Sequence, residues 1–265
     1  MTAEPALTPE LTAAVIALAQ TPRLLLALDF DGTMAPLVDR AQDARPLPRS
    51  AAAFAALTGL ENTVTALISG RALDSLRAVA TPPERTLLVG SHGAETWWGP
   101  DSPALLLSGE QAAALEAARA AVALATTRFP GTMAEHKPAG VVLHYRLAAE
   151  ADGRAAVAQL RAALEANPSL HITTGKQVLE ISAVDANKGQ SIAALRRHTG
   201  ATATFFAGDD VTDEHALAAL VPGDLGVKVG PGSTAAAHRI ASPQQLPDVL
   251  ELLLAHRTAH LQRPK

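Results

Sequence analysis

Residues 24–33, Leu-Leu-Leu-Ala-Leu-Asp-Phe-Asp-Gly-Thr, constrain the fold more than any other stretch of the chain. Five apolar residues without polar alternation read as a strand buried on both faces, the kind found in a parallel sheet covered by helices. The run stops at Asp29 and Asp31, at the carboxyl end of the strand, where open α/β sheets hold their ligands. On a continuing strand, acids at i and i+2 point the same way, and their repulsion calls for a cation or a proton between them. Either acid alone also fits a strand-ending turn.

The same pattern recurs. Residues 63–68 form a β-rich run that ends at Ser69-Gly70-Arg71 before a helix over 72–80. A short strand over 86–89 ends at Gly90-Ser91-His92-Gly93. Near the other end, a helix over 188–198 precedes a strand over 204–207, which stops at Gly208-Asp209-Asp210. A helix over 213–220, a strand over 226–229 and a last helix over 246–257 follow. Strands and helices alternating at this spacing make βαβ units and a parallel sheet. Between about 96 and 184 the texture differs: helices over 110–128 and 152–165 lie among hairpin-like pieces at 133–135, 141–145, 170–173 and 178–181. The expected organisation is an α/β core with a parallel sheet and helices on both faces, residues 1–96 and 185–265. A separate α+β domain, residues 97–184, interrupts it.

Composition excludes several classes of function. A net charge of -4 and 3% aromatic residues leave neither a basic footprint nor stacking platforms, so no nucleic-acid partner is expected. No cysteine is present, which removes disulfides and thiolate chemistry. The first residues, Met-Thr-Ala-Glu-Pro, do not read as a leader, and no uncharged apolar stretch approaches the roughly 18 residues of a membrane span. The expectation is a soluble cytoplasmic protein with no membrane partner.

Four polar clusters fall at strand ends or helix starts: Asp29-Phe-Asp31-Gly-Thr33, Ser69-Gly70-Arg71, Lys188, and Gly208-Asp209-Asp210-Val-Thr-Asp213-Glu214. In a parallel sheet such positions share one rim. In this order they resemble the haloacid dehalogenase superfamily, which implies a Rossmann-like core with an inserted α+β cap. The chemistry agrees with phosphoryl transfer. Aspartate is a feeble nucleophile in water, yet it serves where a divalent cation and fixed donors neutralise the phosphate. Hard oxygen ligands suit magnesium. The resemblance implies that Asp29 is the nucleophile and, with Asp209 and the Asp31 carbonyl, a metal ligand. It implies the Asp31 carboxyl as proton donor and acceptor, Ser69, Gly70 and Lys188 at the phosphate, and Asp210 and Asp213 as outer acids. Ser69-Gly70 also fits a helix cap, and Asp213 and Glu214 fit first-turn acids. A lysine at a helix start is electrostatically disfavoured, so Lys188 is hard to read as merely structural.

The full fourth cluster, Ser-Gly-Arg, Gly-Ser-His-Gly-Ala-Glu (90–95), Glu135-His-Lys137, His144-Tyr-Arg146 and Gly175-Lys176-Gln-Val-Leu-Glu180 look like the trehalose-6-phosphate phosphatase family over about residues 24–232. That resemblance implies a mobile cap in which Glu135, Lys137 and Glu180 hold the sugar of the substrate, trehalose 6-phosphate. It further implies functional pairing with a trehalose-6-phosphate synthase. Arg71, His144 and Arg146 are further candidates for substrate contact, with pairing to a core acid or a polar strand face as their bland readings. Trp97 and Trp98 fit a hinge or core role better than sugar stacking, and His92 stays open. Other readings are a phosphatase for sucrose phosphate, mannosyl-phosphoglycerate or another sugar phosphate, and a phosphomutase. A non-catalytic binding protein would be marked by loss of Asp29, Asp31 or Lys188, and all three are present.

Overall fold

The structure is a computed structural model, and it describes residues 6–175 and 177–263. Lys176, quoted above for the resemblance, and the leader reading of residues 1–5 lie outside the described residues. Thr8 caps α1 (Pro9–Leu18), its hydroxyl accepting the Leu11 amide at 3.2 Å, with Pro9 at the first helical position. The chain then enters β1 (Leu24–Leu28), where every side chain is buried. Leu24, Leu26 and Leu28 pack into one apolar layer with Leu11, Val15 and Leu250. Leu25 and Ala27 pack into the other with Ile192, Leu195 and Ala216. Apolar layers on both sides are the physical reason for a run without alternation.

The remaining elements are α2 (Pro48–Thr58), β2 (Thr63–Ile68), α3 (Leu73–Ala80), β3 (Leu87–Gly90) and β4 (Glu95–Trp97), then α4 (Gly109–Arg128), β5 (Met133–Lys137), β6 (Gly140–His144), α5 (Glu150–Leu164), β7 (His171–Gly175) and β8 (Val178–Ser182). The chain continues through α6 (Lys188–Thr199), β9 (Ala203–Gly208), α7 (Asp213–Ala218), β10 (Leu225–Val229), β11 (His238–Ile240) and α8 (Leu246–Leu261).

Two compact units result. One holds the chain up to Ser102 and from Asn187; the other is Pro103–Ala186. The first contains a seven-stranded sheet in the order β11-β10-β9-β1-β2-β3-β4, parallel except for β4. Strands β4 and β11 are three-residue edges with mixed polarity, and neither is expected from the sequence pattern. Because β4 pairs with β3, the first unit continues through Trp97. The Arg77 guanidinium lies 4.5 Å from the Trp97 ring centroid, and Trp98 stacks on His198 at 5.1 Å. Both tryptophans are thus packed within this unit. The second unit is an antiparallel sheet, β5-β6-β8-β7, with α4 and α5 covering the face that carries Val141, Leu143, Leu179 and Ile181.

A buried arginine ties the first unit together. Arg257, fully buried in α8, donates to the Thr63 hydroxyl at 3.1 Å and to the carbonyls of Ala19 (3.1 Å), Asn62 (2.6 Å) and Thr21. Arg257→Met is expected to cost about 3 kcal/mol by removing these hydrogen bonds and leaving the buried Ala19 carbonyl and the Thr21 carbonyl without the guanidinium. That corresponds to a fall of roughly 8 °C in thermal midpoint, readable in a melting experiment.

Candidate active site

Strands β9, β1 and β2 are parallel neighbours, so the residues that follow them share one rim of the sheet. The Asp29 amide still donates to the Ala207 carbonyl at 3.0 Å, and then the chain turns. The Ala35 amide bonds back to Phe30 at 2.8 Å, and Gly32 adopts φ 84°. Asp31 therefore does not lie on a continuing strand, and the two acids take different partners. Asp29 Oδ1 accepts from Lys188 Nζ at 2.6 Å. The Asp31 carboxylate receives a two-point grip from Arg71, with Nε on Oδ2 at 2.6 Å and Nη2 on Oδ1 at 2.7 Å. The turn breaks the i, i+2 alternation, so the two carboxylates do not share one direction as a continuing strand would have it, and each has its own cationic side-chain neighbour.

Ser69 extends β2 by one bond, its amide donating to Val89 at 2.9 Å, and its hydroxyl accepts the Arg71 amide at 3.2 Å. The N-cap of α3 is Ala72 with no side-chain cap, so Ser69 does not play that part. The Ser69–Arg71 backbone is braced by the next loop, where Ser91 N donates to the Arg71 carbonyl at 2.7 Å and His92 N to the Ser69 carbonyl at 3.0 Å. Ser91 and His92 both sit in the left-handed region, at φ 48° and 55°. That conformation costs about 1–2 kcal/mol per residue. The Ser91 hydroxyl donates to buried Glu95, which helps to hold it.

Lys188 opens α6 behind a capping box in which the Asn187 side chain accepts the Gln190 amide at 3.0 Å. Its buried ammonium bridges Asp29 and Asp213, each at 2.6 Å. Two carboxylates thereby offset the unfavourable placing of a cation at a helix start. Asp213, in the first turn of α7, accepts the Asp210 amide through its other oxygen at 2.9 Å. Asp210 itself is exposed and turns its carboxylate onto the Val211 amide at 2.7 Å. Asp209 packs against Gly32, where a Cβ would stand 2.3 Å from its carboxylate, so a glycine is required for the approach.

Oxygens of Asp29, Asp209 and Asp213 lie within 4.8 Å of one another. Asp31 contributes no side-chain oxygen to this group, whereas Asp213, read from the sequence as an outer acid, does. Burial, reinforced by Asp213, pushes the Asp29 carboxyl well above the usual carboxylate range despite Lys188. Asp209 is pushed up to about 6 by burial, then by Asp213 and Asp210. Burial alone would lower Lys188, but Asp213 and Asp29 outweigh it and hold its pKa above the ordinary lysine value. Three carboxylates thus gather around the Lys188 ammonium, which bonds two of them. Asp29 Oδ2 and Asp209 Oδ1 are buried without a hydrogen-bond partner among the described residues. Two unsatisfied hard oxygens in a close carboxylate set, on acids that burial and their mutual repulsion push towards the neutral form, fit a divalent cation.

Two charged side chains at the rim escape sequence reasoning. Lys228, buried in β10, donates to the Asp209 carbonyl at 2.6 Å, and Glu214 lies 3.3 Å from it. Glu214, expected to be an ordinary first-turn acid, also accepts the Ala235 amide at 2.8 Å. The available signal was a lysine inside an otherwise apolar strand.

In the second unit, Glu135 and Lys137 share one face of β5; Val142 stands opposite Glu135 in the register, and Glu180 opposite Val142. His144 Nε2 meets Glu135 at 2.7 Å, and Lys137 meets Glu180 at 2.8 Å. The hydrogen bond from His144 holds the Glu135 carboxyl below its ordinary value. Strand β6 ends at His144, so Arg146 lies beyond it in an exposed turn and does not continue the polar strand face.

The profile of the trehalose-phosphatase family matches residues 27–246. The chain belongs to the trehalose-phosphatase family. A family relative, the trehalose-phosphate phosphatase of Mycobacterium avium (strain 104), is 36% identical over 246 residues, covering 85% of this chain and 60% of that protein. The bifunctional trehalose-6-phosphate synthase/phosphatase of Thermoproteus tenax is 31% identical over 244 residues, covering 89% of this chain and 32% of its own. The C-terminal domain of the C. albicans trehalose-6-phosphate phosphatase superposes with a TM-score of 0.80 at 22% identity, covering 96% of this chain and 99% of that domain. This trehalose-phosphatase family chain therefore spans about three fifths of the length of its mycobacterial relative. Its sheet topology is the haloacid dehalogenase-like fold that the four clusters implied. Among the described residues no helix is long and apolar enough to cross a membrane.

Proposed function

We propose that the chain is a magnesium-dependent phosphatase that hydrolyses trehalose 6-phosphate to trehalose and inorganic phosphate. The observation that carries this reading is the buried Asp29–Lys188–Asp213 cluster with Asp209 beside it and the unsatisfied oxygens of Asp29 and Asp209, in a chain of this family. Asp29 and Asp209, with the Asp31 carbonyl, would hold the ion, which would withdraw charge from the phosphoryl oxygens. An Asp29 carboxylate oxygen attacks phosphorus, the bond to the sugar oxygen breaks, and the Asp31 carboxyl protonates the departing alkoxide. Asp31 then takes a proton from water, which attacks the aspartyl phosphate, releases phosphate and restores Asp29.

Arg71 is read with this proton shuttle: its two-point grip aims the ionised Asp31 carboxylate and releases one oxygen when that group takes up the proton, which leaves the freed guanidinium nitrogen for the substrate. Ser69 and Gly70 are read as donors to the transferring oxygens, and Lys188 as the charge that steadies them and Asp29. Asp210 and Asp213 shape the acidic loop. The polar sheet face of the second unit, Pro103–Ala186, read as the cap, is assigned to the disaccharide. There Glu135, Lys137 and Glu180 would serve with His144, and Arg146 from its adjoining turn. The printed name of the Thermoproteus relative joins synthase and phosphatase, and we read the present chain as consuming the product of such a synthase. A phosphorylated sugar does not cross a membrane unaided, and we read the reaction as taking place in the cytoplasm, where such a synthase would release it.

The test is phosphate release from trehalose 6-phosphate, glucose 6-phosphate and sucrose 6-phosphate, with magnesium and with a chelator. Turnover of trehalose 6-phosphate is expected to exceed the others by about 100-fold, as a site built to pair sugar hydroxyls leaves its own groups unpaired with a poorer fit. Chelation is expected to abolish it. Equal rates on all three would overturn the substrate assignment, and phosphate retained on the sugar would point to a mutase.

A further inference from the structure

The mechanism above makes no use of Lys228 or Glu214, yet burying a lysine carries a large desolvation cost unless its partners are well placed. Lys228 is 3% exposed, next to the end of β10, and in the register it stands opposite Gly208, the last residue of β9 before Asp209. Its ammonium reaches over the strand end to donate to the Asp209 carbonyl at 2.6 Å, with the Asp210 carbonyl at 3.4 Å. Glu214 Oε1 approaches the same ammonium at 3.3 Å, as an ion pair without hydrogen-bond geometry. Glu214 Oε2 is anchored in turn on the Ala235 amide at 2.8 Å. The acidic loop is thus clamped from β10 and from the segment that follows it.

The consequence falls on Asp209. Its Oδ1 has no hydrogen-bond partner among the described residues, so that side of the carboxylate is not aimed by a neighbour. Its direction then depends on the close packing against Gly32 and on the backbone it springs from, and the bond from Lys228 holds the carbonyl of that backbone. Partners that orient a ligand from behind change metal affinity by about 10- to 100-fold.

We propose that Lys228 and Glu214 are positioning residues for the divalent cation, acting through the Asp209 backbone to point its carboxylate at the ion. This rests on the placing of the cation argued under the proposed function, and it does not depend on which sugar phosphate is the substrate.

The experiment is a direct titration of the metal-free chain with manganese, followed by electron paramagnetic resonance without substrate. Lys228→Met is expected to raise the manganese Kd by about 10- to 100-fold, and Glu214→Gln by a smaller factor in the same direction. Arg257→Met serves as a control, a variant destabilised away from the rim whose Kd should match wild type. A Kd for Lys228→Met within twofold of wild type overturns the proposal. If Lys228→Met does not fold, an unchanged Kd in Glu214→Gln overturns it instead. A wild-type chain that binds no manganese overturns it as well. Failure to hydrolyse trehalose 6-phosphate, with the manganese shifts intact, overturns the substrate reading alone.

Discussion

Asp29→Asn is expected to lower kcat for phosphate release by about 10⁴-fold or more, the scale seen when a covalent nucleophile is removed, while sugar-phosphate binding persists. Asparagine keeps the shape and still offers an oxygen to Lys188, which now sits at 2.6 Å. The amide has no oxygen able to attack phosphorus. Stability is expected to move the other way. Burial and then Asp213 raise the Asp29 carboxyl, so this group lowers stability progressively as pH rises from the ordinary carboxylate range to its folded pKa, and in full above that. Removing that charge relieves the cost, and the metal-free variant should melt at a higher temperature than wild type. The same loss should shrink the increase in thermal midpoint produced by magnesium, because one of the two unsatisfied oxygens is no longer charged. Phosphate release, substrate titration calorimetry and melting with and without chelator report the three effects. Turnover within tenfold of wild type would refute the nucleophile.

What could be read from the sequence follows from which physical constraints leave a local trace. Burial on both faces writes itself into Leu24–Leu28 as unbroken apolar residues, and the same logic marks β2 and β9. The polar clusters stand out because each interrupts such a run. The inserted α+β unit shows as a change in period. Constraints between distant residues leave no such trace. The pairing of Asp31 with Arg71, 40 residues on, depends on the turn at Gly32 redirecting the carboxylate. Asp213 joins the acidic cluster because the loop after β9 folds back on itself, where a Cβ on Gly208 would stand 2.3 Å from the Asp213 carboxyl. Lys228 stands out in an apolar strand, but the Asp209 carbonyl it pairs with lies 19 residues back in the chain and leaves no local trace. Edge strands β4 and β11 need only three residues paired on one side, too few for a periodic signal. Arg146 was placed by alternation on a strand that ends two residues earlier, because strand ends are set by pairing partners and not by side-chain pattern.

Lys188→Met is expected to damage both stability and catalysis, and the two losses should separate. In the metal-free chain the ammonium is the cation that touches both Asp29 and Asp213, at 2.6 Å each, in a fully buried setting. Removing one partner of a buried pair leaves uncompensated charge and costs about 3–5 kcal/mol. Magnesium should return part of this, since it neutralises the same carboxylates, so the variant's melting temperature should depend more steeply on magnesium than wild type's. The catalytic loss should remain at saturating metal, at about 100- to 1,000-fold in kcat, because a preorganised donor to developing charge is missing. Lys188→Arg should not rescue it, since a planar fork cannot replace a point charge held between two carboxylates in a closed space. Combining Lys188→Met with Asp29→Asn should cost less stability than the sum of the single changes, because the neutral amide in place of the Asp29 carboxylate removes the repulsion that the lysine no longer screens. A Lys188→Met chain as stable as wild type in chelator would show that the ammonium does not hold the acids together, and the electrostatic account of this rim would fall with it.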